Sequence, residues 1–189
     1  MRINNEETMF TAKYLKLVTK NYATENGHEG VWEMVERTNV PNNIGAVVII
    51  PMTRKKELIF EKNWRVPLET PVIQFPAGLI DKEGESAEEV ARRELLEETG
   101  YIADKLMRII QSPECAVLTP TLVDHFFAPD VEYVGNNDRE NTEEIEVIRI
   151  PVKECLDFIL DVPKGTMIDL RVPGILWILE KKGLIPYLN

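Results

Sequence analysis

Histidine, cysteine and basic charge are all scarce in this chain. Two histidines occur in 189 residues, His28 and His125, which leaves little material for a His-based catalytic triad or a zinc site. His28 falls in a polar turn and reads as solvated; His125 falls in a strand-like run and reads as structural. Cys115 and Cys155 stand alone, without metal or redox spacing. They fit small, partly buried residues in a reducing cytosol, so a cytoplasmic location is expected. No apolar run approaches membrane-spanning length, and the longest, residues 44–50, is strand-sized. The first residues, Met1-Arg2-Ile3-Asn4-Asn5-Glu6-Glu7, lack the apolar core of a signal peptide. Lys and Arg number 22 against 32 Asp and Glu, a net charge of −10, whereas a general nucleic-acid binder would show a basic footprint. Neither nucleic acid nor membrane is expected as a partner.

What the chain does have is strand-sized patterning over enough length for one core-forming domain. Residues 14–22 read as a strand, 25–30 as a turn and 31–38 as the return strand, so residues 1–40 form an N-terminal hairpin region. Residues 41–189 form the main domain. In it, 44–50, 58–66, 72–75, 106–111, 121–128 and 145–150 read as strands, and 112–120 as a loop with two prolines. Residues 152–160 and 173–182 read as helices, the second with Pro173 in its first turn and Gly183 as its stop. With a central helix at 86–99, this order suggests an α/β (α+β) fold, an α/β/α sandwich over a mixed sheet.

The central helix carries charges in unexpected places. Ser86 and Glu89 have capping-box spacing, and Gly100 suits the left-handed position after the last turn. At about 100° per residue, Ala87, Val90, Ala91 and Leu95 share one face. Glu94 and Glu98 fall within that arc, with Glu97 at its edge. Unpaired buried carboxylates are costly, or they neutralise by shifting their pKa. A hard divalent cation with oxygen ligands would resolve the conflict. The alternative is a solvated acidic face with Arg92 and Arg93 as i,i+4-type partners.

The run Phe75-Pro76-Ala77-Gly78-Leu79-Ile80-Asp81 leads into this helix, and the whole segment resembles the Nudix box, G-x5-E-x7-R-E-U-x-E-E-x-G-U with U apolar. Gly78 opens it, Glu85 is its first glutamate, Arg93-Glu94-Leu95 its centre, and Glu97-Glu98 with Gly100-Tyr101 its close. Six residues rather than five separate Gly78 from Glu85; the extra one falls in the turn 81–84 and leaves the helix register intact. Beyond the box, residues 31–151 resemble the ADP-ribose pyrophosphatase branch. The resemblance implies the Nudix α/β/α sandwich, with the N-terminal hairpin helping to form a homodimer. It also implies that Trp32 stacks on adenine, Arg37 meets the diphosphate, and Arg65, in Asn63-Trp64-Arg65-Val66-Pro67, contacts substrate. These residue types suit those tasks: a flat π-face for a base and a planar fork for phosphate oxygens. Other roles stay open, Trp32 as a core or dimer aromatic and Arg37 as a cross-strand ion pair. Two positions depart from the branch: Gln74 stands where Glu is frequent, and Thr119-Pro120-Thr121 lacks the usual glycine.

The activity implied is metal-assisted hydrolysis of a phosphoanhydride, with a nucleoside diphosphate sugar as substrate and AMP plus ribose 5-phosphate as the products from ADP-ribose. Glu94 and Glu98 would bind Mg²⁺ (or Mn²⁺), Glu97 would be a ligand or supporting group, and the Ala77 carbonyl would complete the site. Such cations and a few placed arginines would also offset the repulsion between an acidic protein and an anionic substrate. Arg93 would hold Glu85 and order the box. The resemblance places the general base on Glu143 in the acidic segment 136–146, with Glu144 and Glu140 behind it. Alternatives are a hydrolase of another nucleoside diphosphate sugar such as GDP-mannose, or a non-catalytic ADP-ribose sensor, which would typically have lost box carboxylates.

Overall fold

The computed structural model describes residues 1–38, 44–135 and 144–186. The chain begins with a three-stranded antiparallel sheet in the order β1-β2-β3, built from β1 (Arg2–Thr11), β2 (Leu15–Ala23) and β3 (Glu29–Arg37). The expected hairpin is β2–β3, turning through Gly27 at φ 78°. β1 pairs with β2 and adds a third strand to this hairpin. All ten residues of β1 are exposed, so burial imposes no alternation on its sequence and periodicity cannot reveal it.

The main body is a nine-stranded mixed sheet. Its strands are β4 (Ile44–Thr53), β5 (Glu57–Arg65), β6 (Thr70–Gln74), β7 (Ala77–Leu79), β8 (Tyr101–Ile102), β9 (Met107–Pro113), β10 (Leu122–Tyr133), β11 (Ile145–Pro151) and β12 (Met167–Ile168). β10 runs parallel to β4, and β12 parallel to β6. Helix α1 (Ala87–Thr99) packs through Val90, Ala91 and Leu95 onto Val47, Ile49, Ile59 and Phe126. Helices α2 (Cys155–Leu160) and α3 (Arg171–Lys181) cover a second core containing Val48, Ile50, Phe60, Ile73 and Phe127. Because successive β4 residues enter opposite cores, 44–50 reads as a continuous apolar run rather than an alternating one.

Boundaries shift where local geometry breaks periodicity. β10 runs five residues past its expected end at 128, through a register shift between Ala128 and Val131 with Asp130 at φ 55°. The expected helix 152–160 begins as a 3-10 turn, Val152–Glu154, before α2. α3 starts at Arg171, which leaves Pro173 in the first turn, where its missing N–H costs no intrahelical bond. β8 and β12 have two residues each, too few to show a period. Among the described residues, no helix is long and apolar enough to cross a membrane.

Candidate active site

Helix α1 is fixed at both ends by the expected signals. The Ser86 hydroxyl accepts from the Glu89 N–H at 3.3 Å, and the Ser86 N–H donates to the Glu89 carboxylate at 2.8 Å. Gly100 takes φ 74° and donates its N–H to the Leu96 carbonyl at 2.9 Å. A Cβ there would lie 2.9 Å from Tyr133 Cε2, so both conformation and space call for glycine.

The helix presents its carboxylates to the strand–loop segment before it. Arg93 ties the box together, donating to Glu85 at 3.1 and 3.4 Å, to Glu94 at 2.8 Å and to Glu97 at 2.9 Å. Burial opposes its charge, but these three carboxylates outweigh burial and hold the guanidinium more firmly protonated than usual. Glu98 is 3 % exposed and accepts from the Ala77 N–H at 3.0 Å. Gly78 lies so close to Glu94 that a Cβ would fall 2.1 Å from the Glu94 carboxyl carbon. The loop from β6 to β7 therefore delivers Ala77 to Glu98 and bare backbone to Glu94.

A third carboxylate, which the sequence reading missed, completes this cluster. Glu61 on β5 is fully buried and lies close enough to Glu98 to act on its charge. Burial first, then neighbouring Glu61, then the charge of Glu94, push the Glu98 carboxyl far above the usual carboxylate range; the Ala77 N–H pulls it back only in part. Acids gathered this closely out of water repel one another unless positive charge or a proton reaches them. The sequence did carry a signal for Glu61. It lies two residues after Ile59 in one strand, so alternation puts it on the buried face that Ile59 shares with α1.

An all-oxygen donor set with converging negative charge suits a hard divalent cation. Among the described residues, no three such side chains already surround a common metal position: Glu94 is turned onto Arg93 and Glu98 onto the Ala77 N–H. Loading the site would require these carboxylates to turn. Glu97, also bound to Arg93, is the most exposed of the group, its side chain at 36 %. Glu143 and Glu140 lie outside the described residues. Glu144 is exposed, and its carbonyl accepts from the Trp64 N–H at 3.4 Å.

The expected substrate residues lie on two elements, β3 and β5. Arg65 at the end of β5 donates through Nε and Nη2 to the Gln74 side-chain oxygen, at 3.0 and 2.6 Å. Trp32 and Arg37 both belong to β3, and by alternation they point to opposite faces of it. Trp32 lines a cavity of about 300 Å³ with Tyr22, Met34, Leu118 and Pro120. Its indole N–H donates to the Val117 carbonyl at 3.1 Å while its ring remains half exposed. Arg37 lies 3.7 Å from Glu114. The Val35 N–H donates to the Leu118 carbonyl at 2.8 Å, so the N-terminal sheet is docked onto the loop that precedes β10.

A second charged group was not foreseen. Asp169 accepts from the Arg171 backbone N–H at 2.8 Å and from its guanidinium on both carboxylate oxygens. Burial would raise the Asp169 carboxyl, yet Arg171, with a smaller effect from Arg65, holds it below its usual range. Arg171 also feels Glu114 and acts on His125, which burial first and Arg171 second keep below its ordinary pKa. Their positions after a two-residue strand and at a helix start give no periodic signal.

Comparisons with known proteins match most of the chain. The NUDIX domain family model matches residues 42–170. The ADP-ribose pyrophosphatase of Bacillus subtilis is 29 % identical over 155 residues, covering 82 % of this chain and 80 % of that protein. The ADP-sugar pyrophosphatase of Mus musculus is 35 % identical over 104 residues, 52 % of this chain and 47 % of that one. A crystal structure of an ADP compounds hydrolase superimposes with a TM-score of 0.78 at 25 % identity, covering 97 % of this chain and 95 % of that chain.

Proposed function

This chain belongs to the Nudix family and is a Nudix hydrolase, and on that premise we propose that it hydrolyses the diphosphate of ADP-ribose to AMP and ribose 5-phosphate with the help of Mg²⁺. The observation that carries this reading is the cluster of buried Glu61 and Glu98 with part-buried Glu94 beside Ala77 and Gly78, which has negative charge to neutralise. The substrate follows from the names of the relatives and from Trp32, Arg37 and Arg65.

In this reading Glu94 and Glu98 would hold the cation, with Glu97 and the Ala77 carbonyl in support, and Mn²⁺ could replace Mg²⁺. When bound, the metal supplies Lewis-acid stabilisation of the charge that builds on the diphosphate oxygens. Arg93 keeps the glutamates in place by its bonds to Glu85, Glu94 and Glu97. Trp32 stacks on adenine, and Arg37 and Arg65 bind diphosphate oxygens, which aligns the anhydride for attack. Glu143 takes a proton from water as the water oxygen bonds to one phosphorus. The bridging P–O bond breaks, and its electron pair leaves with the other phosphate. The N-terminal three-stranded sheet, with its exposed Ile3, Met9, Phe10 and Leu17, is the proposed homodimer surface.

The test is product analysis over ADP-ribose, GDP-mannose, diadenosine phosphates and nucleoside triphosphates with Mg²⁺. AMP formed fastest from ADP-ribose is expected. Faster turnover of another sugar nucleotide would retain the hydrolase but reassign its substrate to the pocket shaped by Gln74 and the 119–121 loop. Binding of ADP-ribose without turnover of any compound would mark a sensor.

A further inference from the structure

The Nudix box does not involve Gln74, yet this side chain joins the cationic and anionic halves of the site. It is 4 % exposed, pairs with Glu61 across β5 and β6, and accepts two hydrogen bonds from Arg65. Four arginines matter for comparison. Arg93 is bound by three carboxylates, Arg171 grips both oxygens of Asp169, and Arg37 lies 3.7 Å from Glu114. Arg65 differs, because its fork is held by a neutral amide oxygen. Among the described residues, no carboxylate lies within ion-pair distance of it. Asp169, whose field reaches it, is already neutralised by Arg171.

Resting on the proposed diphosphate-binding site, we infer that Gln74 is a positioning residue that aims Arg65 while leaving its charge unspent for an anionic diphosphate. The two bonds engage Nε and one Nη2 hydrogen, leaving the Nη1 end of the planar fork for phosphate oxygens. A glutamate here would orient Arg65 equally well but would neutralise it, and would set another carboxylate directly across from Glu61. In a chain of net charge −10, an oriented and uncompensated guanidinium supplies local attraction that the whole molecule lacks.

A double-mutant cycle tests this. Gln74→Glu should raise KM for ADP-ribose about tenfold, with kcat changed about threefold or less, and should weaken binding of inorganic pyrophosphate at fixed Mg²⁺ by a similar factor. In an Arg65→Ala background the same substitution should change both constants by about twofold or less. Gln74→Met keeps the volume but removes the acceptor; it should raise KM through lost orientation and covers the case in which Gln74→Glu does not fold. An equal effect of Gln74→Glu with and without Arg65, or no effect of either variant on KM and pyrophosphate binding, would overturn the inference. If the wild type fails to hydrolyse ADP-ribose, the proposed activity fails separately, and the pyrophosphate comparison alone decides the role of Gln74.

Discussion

Glu98 is buried beside two other acids and depends on whatever positive charge reaches it. Glu98→Gln removes one charge while keeping the shape and the bond from the Ala77 N–H. Turnover should fall about a thousandfold or more, because the cation loses a ligand and the diphosphate its counter-charge. The metal-free variant should be as stable as the wild type or about 1 kcal/mol more so, since a repulsive buried pair is relieved; thermal melts in chelator would show this. Asp169 behaves in the opposite sense. Its folded pKa lies below its ordinary value, so it contributes stability above the normal carboxylate range and loses it as pH falls through the folded value. Asp169→Asn should cost about 1–3 kcal/mol at pH 7, a difference that shrinks as pH falls below the ordinary carboxylate range; denaturant melts at pH 7 and across the acid range check it. At this scale the sequence showed Glu94 and Glu98 because three-residue and four-residue spacings betray a helix face. Gln74 stood out only against the family pattern, and its bond to Arg65 needed the fold.

Helix α1 and the loop before it work as one element. Ser86→Ala should cost about 1 kcal/mol in a denaturant melt and leave the Mg²⁺ dependence of turnover unchanged, since the cap lies at the far end of the helix from Glu98. Gly78→Ala should do the reverse. Its Cβ would collide with the Glu94 carboxyl carbon at 2.1 Å, so Glu94 must swing away. Activity should fall at least about a hundredfold while the circular dichroism spectrum is retained; normal turnover would show that Glu94 does not need its place against Gly78. The capping box, the left-handed Gly100 and the Arg93–Glu85 tie were all legible, because they are local and depend on short spacing. β7 was not: its pairing with β4 is tertiary, and three residues are too few to show a period. The two-residue strands and the fully exposed β1 escaped for the same reason, since burial had written no pattern into them.

The whole molecule joins an acidic sandwich to an N-terminal sheet through the loop before β10. Met1 and Ile3 of the N-terminal segment line the cavity that holds Trp32, so this sheet links the proposed dimer surface to the proposed adenine pocket. Deleting residues 1–11 should convert a dimer to a monomer in light scattering and raise KM for ADP-ribose more than it lowers kcat. A deleted chain that remains dimeric would move the interface elsewhere. The sandwich itself was readable in outline from strand order, but the meeting of β5 with the box helix, which brings Glu61 to Glu98, depends on non-local sheet register. That meeting builds the acidic cluster, and the most direct test of its role is AMP release from ADP-ribose across a Mg²⁺ titration, with wild type and Glu98→Gln side by side. Turnover that requires Mg²⁺ in the wild type and is nearly abolished in the variant is expected; turnover in chelator, or an unchanged Mg²⁺ dependence in Glu98→Gln, would contradict a metal site at this cluster.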